Sequence, residues 1–223
     1  MLPRWWIDRR PTQRLLRCGA LAGPLFVITF TVAGRKRDGY DARRHPVSAL
    51  ALGPGGAVQR ANFIATGALY LAAAVGMGRG RRSRFLAAPC PALVAGTGVG
   101  LIGSGLFATD PTSGYPPGTP PQPAHPSRTG TIHNPFAIPV FLGIPVTALL
   151  SAYASTAEDR RWAVYSATSA TLMFACAPLF GAAFAQNPAL VATGGRFQRA
   201  AIVTGFTWLS ALSIAVGKEA CSG

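Results

Sequence analysis

Charged side chains are scarce in this sequence. Only 13% of its 223 residues are Asp, Glu, Lys or Arg, and 49% are hydrophobic, whereas about a quarter of a soluble domain is usually charged. The charges are also clustered, so that long stretches contain none. No separate soluble domain fits between these stretches.

Acidic residues and cysteines are few as well. Seven Asp and Glu stand against 21 Lys and Arg, which gives a net charge of +14. In a soluble protein this excess would suggest nucleic acid. Here we interpret the arginines as flanking membrane spans and facing anionic lipid head groups, and we expect membrane lipids but no nucleic acid as partners. The four cysteines include no CxxC pair, so we predict neither a disulfide framework nor a metal site.

Six apolar runs of about 20 residues are long enough to cross a bilayer as helices. Apart from Arg17 near the start of the first run, none contains a charged residue. We therefore predict an all-α protein, a six-helix transmembrane bundle that forms a single integral membrane domain over residues 1–223. The expected spans are 15–34, 61–78, 85–108, 135–155, 162–185 and 200–217.

The even number of spans places both termini on the same side of the membrane. With the N-terminus inside, 12 basic residues lie on the cytoplasmic side and 9 outside, which favours cytoplasmic termini. We expect a multi-pass protein of the cell membrane. The first apolar run follows several arginines, as in a signal peptide, but it is longer than the usual 7–15 residues. We therefore predict a retained helix.

The ionisable residues favour one end of the bundle. The odd-numbered loops, which share a side, and their helix junctions hold all three histidines and three carboxylates: His45, His125, His133, Asp38, Asp41 and Asp110. Asp110 and His133 lie at the two ends of a long proline-rich loop that we expect to cover the bundle mouth. Histidine beside a carboxylate can perform acid–base catalysis or bind a metal. Asp110, His133 and His45 are therefore the candidate catalytic residues, and interfacial hydrogen bonds or helix caps are the alternative interpretation.

A polar stripe continues from this end into the second span. Asn62, Thr66 and Tyr70 are spaced at i, i+4 and i+8 and share one helix face. Lipid offers these groups no partner, so we expect the face to point into the bundle. We predict that these three residues, with Arg196 of the last loop, contact a substrate.

Several functional classes lack support. No span carries an ionisable side chain at its centre, which disfavours ion-coupled transport. No Walker, HExxH, GxSxG or CxxCH motif occurs, and no internal repeat is evident. No cofactor can be assigned.

A series of short motifs lies between residues 40 and 135. The motif residues are His45-Pro46-Val47-Ser48 with Leu50, Gly53-Pro54, Gln59-Arg60, Asn62-Phe63, Gly105-Leu106-Phe107, Thr109-Asp110-Pro111, Pro116-Pro117-Gly118-Thr119-Pro120, Gly130 and His133. In these motifs the chain resembles an uncharacterised, mainly bacterial family of polytopic membrane proteins, domain of unknown function 998. The resemblance implies six spans and membrane residence, and it supplies no reaction. Family members commonly carry an aromatic residue near Ala57 and a Glu near Gln198, and both are altered here.

Two functions remain open from the sequence. The first is a membrane enzyme that performs acid–base chemistry, such as cyclisation or isomerisation, on a lipid or isoprenoid-like substrate. The second is a non-catalytic scaffold, sensor or accessory subunit, whose conspicuous loops form a docking surface or a lid.

Overall fold

The computed structural model describes residues 9–79 and 83–222. The apolar segments form helices, as expected, and the fourth segment is a continuous helix with a π-helical turn, Pro139–Gly143, in its middle. A short 3₁₀ helix, Val47–Ala51, lies in the first loop. The α-helices are α1 Arg9–Arg35, α2 Gly56–Arg79, α3 Cys90–Leu106, α4 Arg128–Ile138, α5 Ile144–Ser155, α6 Arg160–Phe184 and α7 Gly194–Ser222.

The helices pack as a closed ring. In order around the ring, α1 lies between α2 and α7, α6 lies between α7 and α5, and α3 closes the ring between α2 and the α4–α5 helix. The first and last helices are antiparallel neighbours, since Leu16 lies beside Gly217 at one end and Gly23 lies beside Phe206 further along. The described parts of both termini therefore lie at the same end of the bundle, as predicted.

Within the described residues, five helices are long and apolar enough to cross a membrane, so the prediction of a multi-pass membrane protein is confirmed. The third apolar segment differs from its expected bounds of 85–108, because α3 has 17 residues. Pro89 and Pro91 set its start, where a missing N–H costs nothing, and Phe107 is extended. At a rise of 1.5 Å per residue α3 spans about 25 Å, and it runs antiparallel to α2.

Two helices, α4 and α6, begin before their apolar runs because polar residues cap them. Ser127 Oγ accepts the Gly130 N–H at 3.0 Å and starts α4. Asp159 Oδ1 accepts the Trp162 N–H at 3.0 Å and starts α6. Such caps satisfy N–H groups that have no partner within the first turn of a helix.

The count of basic residues on each side of the membrane, which favoured cytoplasmic termini, includes Arg4, Arg81 and Arg82. These three arginines lie outside the described residues.

Aromatic rings fill the interior of the ring of helices. Phe26 of α1 stacks on Phe206 of α7 with ring centroids 4.8 Å apart. Trp208 is fully buried, and its indole N–H donates to Ser166 Oγ at 2.9 Å. Large apolar side chains such as Leu21 and Val164 are exposed on the outer surface, where lipid would surround them.

Candidate functional site

Three connections meet at one end of the ring and cover it. Together they form the cap, which comprises residues 36–55, 107–127 and 185–193. The buried ring of Tyr115, from the second connection, lies 5.1 Å from Tyr40 and 5.2 Å from His45 of the first, measured between centroids. From the third connection, Gln186 Nε2 donates to Ser113 Oγ at 3.1 Å. The proline-rich loop is therefore packed into the cap, over the bundle mouth.

Arg199 of α7 attaches the first cap loop to the last helix. Its Nη1 donates to the carbonyl oxygens of Ala42 at 2.5 Å, His45 at 3.1 Å and Gly195 at 3.0 Å. Its Nη2 donates to the Tyr40 hydroxyl. Among the described residues no carboxylate pairs with this guanidinium. Carbonyl dipoles therefore stabilise its charge, and the cap depends on that arrangement.

Arg37 joins the first and second cap loops. Its Nε donates to the Tyr115 hydroxyl at 3.0 Å, and its Nη2 donates to the Leu52 carbonyl. The Tyr40–His45–Tyr115 cluster is therefore bound by Arg199 at Tyr40 and by Arg37 at Tyr115. Burial raises the pKa of the Tyr40 phenol, and the nearby Arg199 guanidinium only partly offsets this rise.

His45 is held inside the cap as a neutral imidazole. Its Nδ1 accepts the backbone N–H of Asp41 at 2.9 Å, so the proton of the neutral ring is on Nε2. Burial lowers the pKa of His45, and the positive charge of Arg44 lowers it further. These contacts match the hydrogen-bonding interpretation of this residue.

Asp110 lies at the start of α4. Its Oδ2 accepts the Ser127 N–H at 3.0 Å, and a Cβ atom at Gly130 would overlap its carboxylate. A glycine at position 130 thus lets the carboxylate approach the positive end of the helix dipole. Asp110 therefore fixes the first turn of the helix that carries His133.

His133 points into the bundle from the second turn of α4. Its Nδ1 lies 2.8 Å from the Phe107 carbonyl oxygen, just beyond the end of α3. A carbonyl can only accept, so Nδ1 carries the proton, and Nε2 of the neutral ring is an acceptor. No hydrogen bond or ring contact within the described residues joins His133 to His45 or Asp110, although the Asp110 carboxylate lies near enough to His133 to interact with it through its charge. The structure therefore places the three candidates at one end of the bundle without joining them in one hydrogen-bonded group.

A cavity of about 60 Å³ lies inside the ring beneath the cap, and His133 lines it. One water needs roughly 10–15 Å³, so the cavity can hold a small group. Among the described residues, none that lines it is charged. The other lining residues are Phe26, Val47, Ser48, Phe63, Leu101, Ser104, Ala137, Val140, Phe141, Gln198, Ile202 and Phe206.

Two polar side chains of the cavity lining, Gln198 and Ser48, differ in whether they are already hydrogen-bonded within the protein. Gln198 Oε1 accepts the Val47 N–H at 2.8 Å and so fixes the 3₁₀ helix of the cap against α7. The Ser48 hydroxyl, in contrast, makes no hydrogen bond within the described part of the chain. Ser48 Oγ and His133 Nε2 are therefore two polar atoms of the cavity lining that can bind a ligand.

The polar stripe of α2 is buried, as expected. Thr66 and Tyr70 are 0% exposed and Asn62 is 5% exposed. Asn62 Nδ2 donates to the Phe26 carbonyl at 3.2 Å. Asn62 Oδ1, Thr66 Oγ and the Tyr70 hydroxyl have no partner in the described structure, and neither has Nε2 of Gln59 one turn earlier.

Two aromatic rings separate this stripe from the cavity. Phe206 lines the cavity, and its ring lies edge-on to Tyr70 with centroids 5.6 Å apart. Phe26 lines the cavity too, and its carbonyl binds Asn62. The Phe26–Phe206 stack is therefore the wall between His133 and the stripe.

Arg196 and His125 lie outside these contacts. The Arg196 side chain is exposed at the rim of the bundle, and its backbone N–H donates to the Arg43 carbonyl at 3.0 Å. His125 is exposed in the cap. Among the described residues, no group of three or more His, Cys, Asp or Glu could hold a metal ion.

Sequence reasoning overlooked Gln198, Arg199, Arg37 and the two tyrosines of the cap. The arginines entered it only as charges for the orientation, and Gln198 only as an altered family position. The available signal was weak: Tyr40 and Tyr115 lie in the same odd-numbered loops as the histidines.

Comparisons with known proteins give a family and no activity. The chain matches no curated protein and no solved structure. A family model described as "Protein of unknown function (DUF998)" matches residues 20–215, which include the whole cap. The chain therefore belongs to this family of proteins of unknown function.

Proposed function

We propose that the cavity beneath the cap binds one end of a neutral lipid or isoprenoid-like molecule, and that His133 exchanges a proton with it. The observation that carries this proposal is a single titratable side chain in an apolar, uncharged cavity inside a membrane-spanning ring. A charged head group would lose its hydration there without a counter-charge. A hydroxyl, a carbonyl or a carbon–carbon double bond suits the lining better.

The hydrogen bond to Phe107 supports a proton-transfer role for His133. It orients the ring and keeps the proton on Nδ1, so that Nε2 can accept a proton from a ligand and later return it. The negative end of the α3 dipole lies beside the ring and stabilises the positive charge acquired in that step. Removal and return of a proton at different atoms of the ligand would be an isomerisation, and the same groups could assist a cyclisation.

The other candidate residues support this site in different ways. We propose that Asp110 positions α4 and that His45 positions the cap, rather than acting on the ligand directly. Asn62, Thr66 and Tyr70 would bind the polar group of a ligand that displaces the Phe26–Phe206 wall. Their partnerless polar atoms support this role. Exposed Arg196 would meet ligand groups at the rim.

The test uses two variants of His133. His133→Asn keeps an N–H near the position of Nδ1 for the Phe107 carbonyl and removes the proton acceptor, whereas His133→Ala removes both. Purified protein in nanodiscs is incubated with a membrane lipid extract and with a fifteen-carbon isoprenoid alcohol, and products are followed by mass spectrometry. Turnover by the wild type and its loss in a folded His133→Asn protein are expected. Equal turnover by wild type and His133→Asn would exclude the proposed role.

A non-catalytic scaffold or sensor is the second candidate, and a specific observation favours it. The polar groups of His45, Arg199 and Arg37 bind other parts of the cap itself, which is the behaviour of a structural lid. Co-purification of one defined protein in constant stoichiometry, lost when exposed cap residues are changed, would support this function instead.

A further inference from the structure

The cavity beneath the cap reaches the outer surface of the bundle at one edge. Its lining residues are buried except for Ser48, Ala137 and Phe141, which are half-buried. Ala137 and Phe141 are four residues apart on the α4–α5 helix, so they lie on one face of it. The neighbouring residues Ile138 and Leu142 are exposed on the outer surface. The half-buried edge of the cavity is therefore continuous with the surface that lipid surrounds.

Helix packing leaves this edge less closely covered than the rest of the ring. α6 packs against α5 and the π-helical turn, whereas α4, on the cap side of that turn, packs against α3. Ala137 of α4 lines the same cavity as Gln198 and Ile202 of α7. The cavity therefore occupies the space between α4 and α7, and the cap-side part of α6 lies at its outer edge.

Two aromatic rings close this edge. Phe141 lines the cavity, and its ring centroid lies 4.7 Å from that of Phe180 on α6. Phe180 is half-buried, and it is not among the described residues that line the cavity. Pro139 and Pro145, on either side of Phe141, have no backbone N–H to donate, and Phe141 itself belongs to the π-helical turn. Helices bend at such interruptions, so the Phe141 ring can move away from Phe180 more easily than it could on a regular helix.

Glycines close the other helix boundaries. At each of them, an added Cβ atom would overlap the neighbouring helix. These contacts join α1 to α2 at Gly19, α1 to α7 at Gly23, α2 to α3 at Gly67, α3 to α4 at Gly103 and α6 to α7 at Gly205. At the cap end, the bond between Gln198 and Val47 fixes the roof of the cavity. The boundary between α4 and α6, which only side chains close, is therefore the easiest way in.

We infer that one end of the ligand enters the cavity sideways from the bilayer, between Phe141 and Phe180, while its hydrocarbon chain stays between α4 and α6. The inference rests on the proposed function for the ligand and adds its route. The cavity has a volume of only about 60 Å³, so the rest of a long molecule lies outside it. An apolar opening that continues into the lipid-facing surface suits a hydrocarbon chain, which gains nothing by passing through water and the cap.

The test is photolabelling of the full chain in nanodiscs. The probe is a long-chain primary alcohol with a diazirine next to its hydroxyl group, and mass spectrometry of peptides identifies the labelled residues. We expect label on Leu101 and Ile202, because both line the cavity and are buried. Lipid around the outer surface cannot reach them. Absence of label from both residues would overturn the inference.

Two phenylalanines of α6 test the route. F180A removes the outer ring and leaves the lining residues unchanged, so the labelling rate of Ile202 should rise at least threefold. The control F174A removes a ring that is 36% exposed on the same helix, and its rate should match the wild type. Equal rates for F180A and F174A would show that the ligand enters elsewhere.

Two alanines provide the opposite change. A137F adds a ring at the opening and should lower labelling of Ile202 at least tenfold, whereas A175F adds the same ring at an exposed position of α6 and should not. Unchanged labelling in a folded A137F protein would contradict the route.

One more variant separates the route from the chemistry. His133→Asn should be labelled like the wild type, because entry needs no proton transfer. Interior labelling without turnover by the wild type would refute the proton transfer and leave the route standing. Turnover with equal labelling rates in F180A and F174A would refute the route and leave the proton transfer standing.

Discussion

Gln198 Oε1 accepts the backbone N–H of Val47 at 2.8 Å, although 151 residues separate the two positions. Both residues line the cavity. This bond joins the 3₁₀ helix of the cap to the last crossing, so the roof of the cavity is fixed to its wall. The following predictions examine this connection and its neighbours.

Gln198→Met should lower the free energy of unfolding by about 1–3 kcal/mol, because the buried Val47 N–H loses its acceptor while the side-chain volume is nearly kept. Thermal or denaturant unfolding in detergent measures the change. Gln122→Met is the matched control: Gln122 Nε2 donates to the Phe184 carbonyl at 3.0 Å, but this bond is exposed and water can replace it, so the change should be less than about 0.5 kcal/mol. Equal effects of the two substitutions would show that the bond to Val47 contributes nothing specific.

Arg199→Ala should destabilise the protein by at least about 2 kcal/mol, since it removes charge-assisted bonds to three carbonyls and to Tyr40. The first cap loop should also become sensitive to limited proteolysis. Arg196→Ala, three residues earlier and exposed, removes the same charge and should alter neither property. If Arg196→Ala exposed the loop equally, charge rather than these contacts would hold the cap.

The stability of the cap should fall as the pH drops below about 6.5, the ordinary pKa of histidine. The pKa of His45 is lowered in the folded protein, so below that pH the unfolded chain binds the proton more readily and stability decreases towards acid. His45→Asn keeps an acceptor for the Asp41 N–H and does not titrate. Its unfolding free energy should depend less on pH between pH 5 and 7 than that of the wild type.

The control for this pH dependence is His125→Asn, because His125 is exposed in the same cap. Its profile should match the wild type. Identical slopes for wild type and His45→Asn would mean that His45 does not contribute to the acid sensitivity.

Asp110→Asn should cost only about 0.5–1 kcal/mol, since the amide oxygen still accepts the Ser127 N–H and only the interaction with the helix dipole is lost. Asp110→Ala should cost more, about 1–2 kcal/mol, because it also removes the acceptor. Unfolding measurements on both variants test this order. Complete loss of turnover in a stable Asp110→Asn protein would instead indicate that Asp110 takes part in the proton transfer.

Tyr70→Phe should stabilise the unliganded protein by about 1 kcal/mol, because it removes a buried hydroxyl that has no partner. The same variant should bind the isoprenoid alcohol more weakly if the stripe contacts the ligand. Tyr153→Phe is the control, since Tyr153 is 83% exposed and its hydroxyl should not matter. A marked loss of stability in Tyr70→Phe would reveal a partner for the hydroxyl within the protein.

The bundle could be predicted from sequence because a helix that crosses a bilayer needs about 20 apolar residues, and hydropathy identifies apolar runs of that length. The helix ends could not, since Ser127 and Asp159 extend the helices into polar sequence that hydropathy excludes. The length of α3 is set by Pro89, Pro91 and an extended Phe107. Hydropathy does not distinguish these residues from the rest of an apolar run of 24 residues.

The end of the bundle that holds the candidate site was identifiable, and its internal contacts were not. Histidines and motifs in odd-numbered loops indicated the cap end, and the burial of Asn62, Thr66 and Tyr70 followed from helix periodicity. The attachment of Arg199 to the Ala42 and His45 carbonyls depends on how α1 and α7 meet. No local sequence pattern around Arg199 or in the first cap loop predicts this contact.

The closed ring also has a consequence for biosynthesis. The chain emerges with α1 first and α7 last, yet these two helices are neighbours in the finished ring. Until α7 is inserted, the cavity lacks one wall, and Gln198 and Arg199 are not yet in place to hold the cap. The first two connections of the cap therefore lack their contacts with α7 during insertion. The site is complete only when α7 has entered the bilayer.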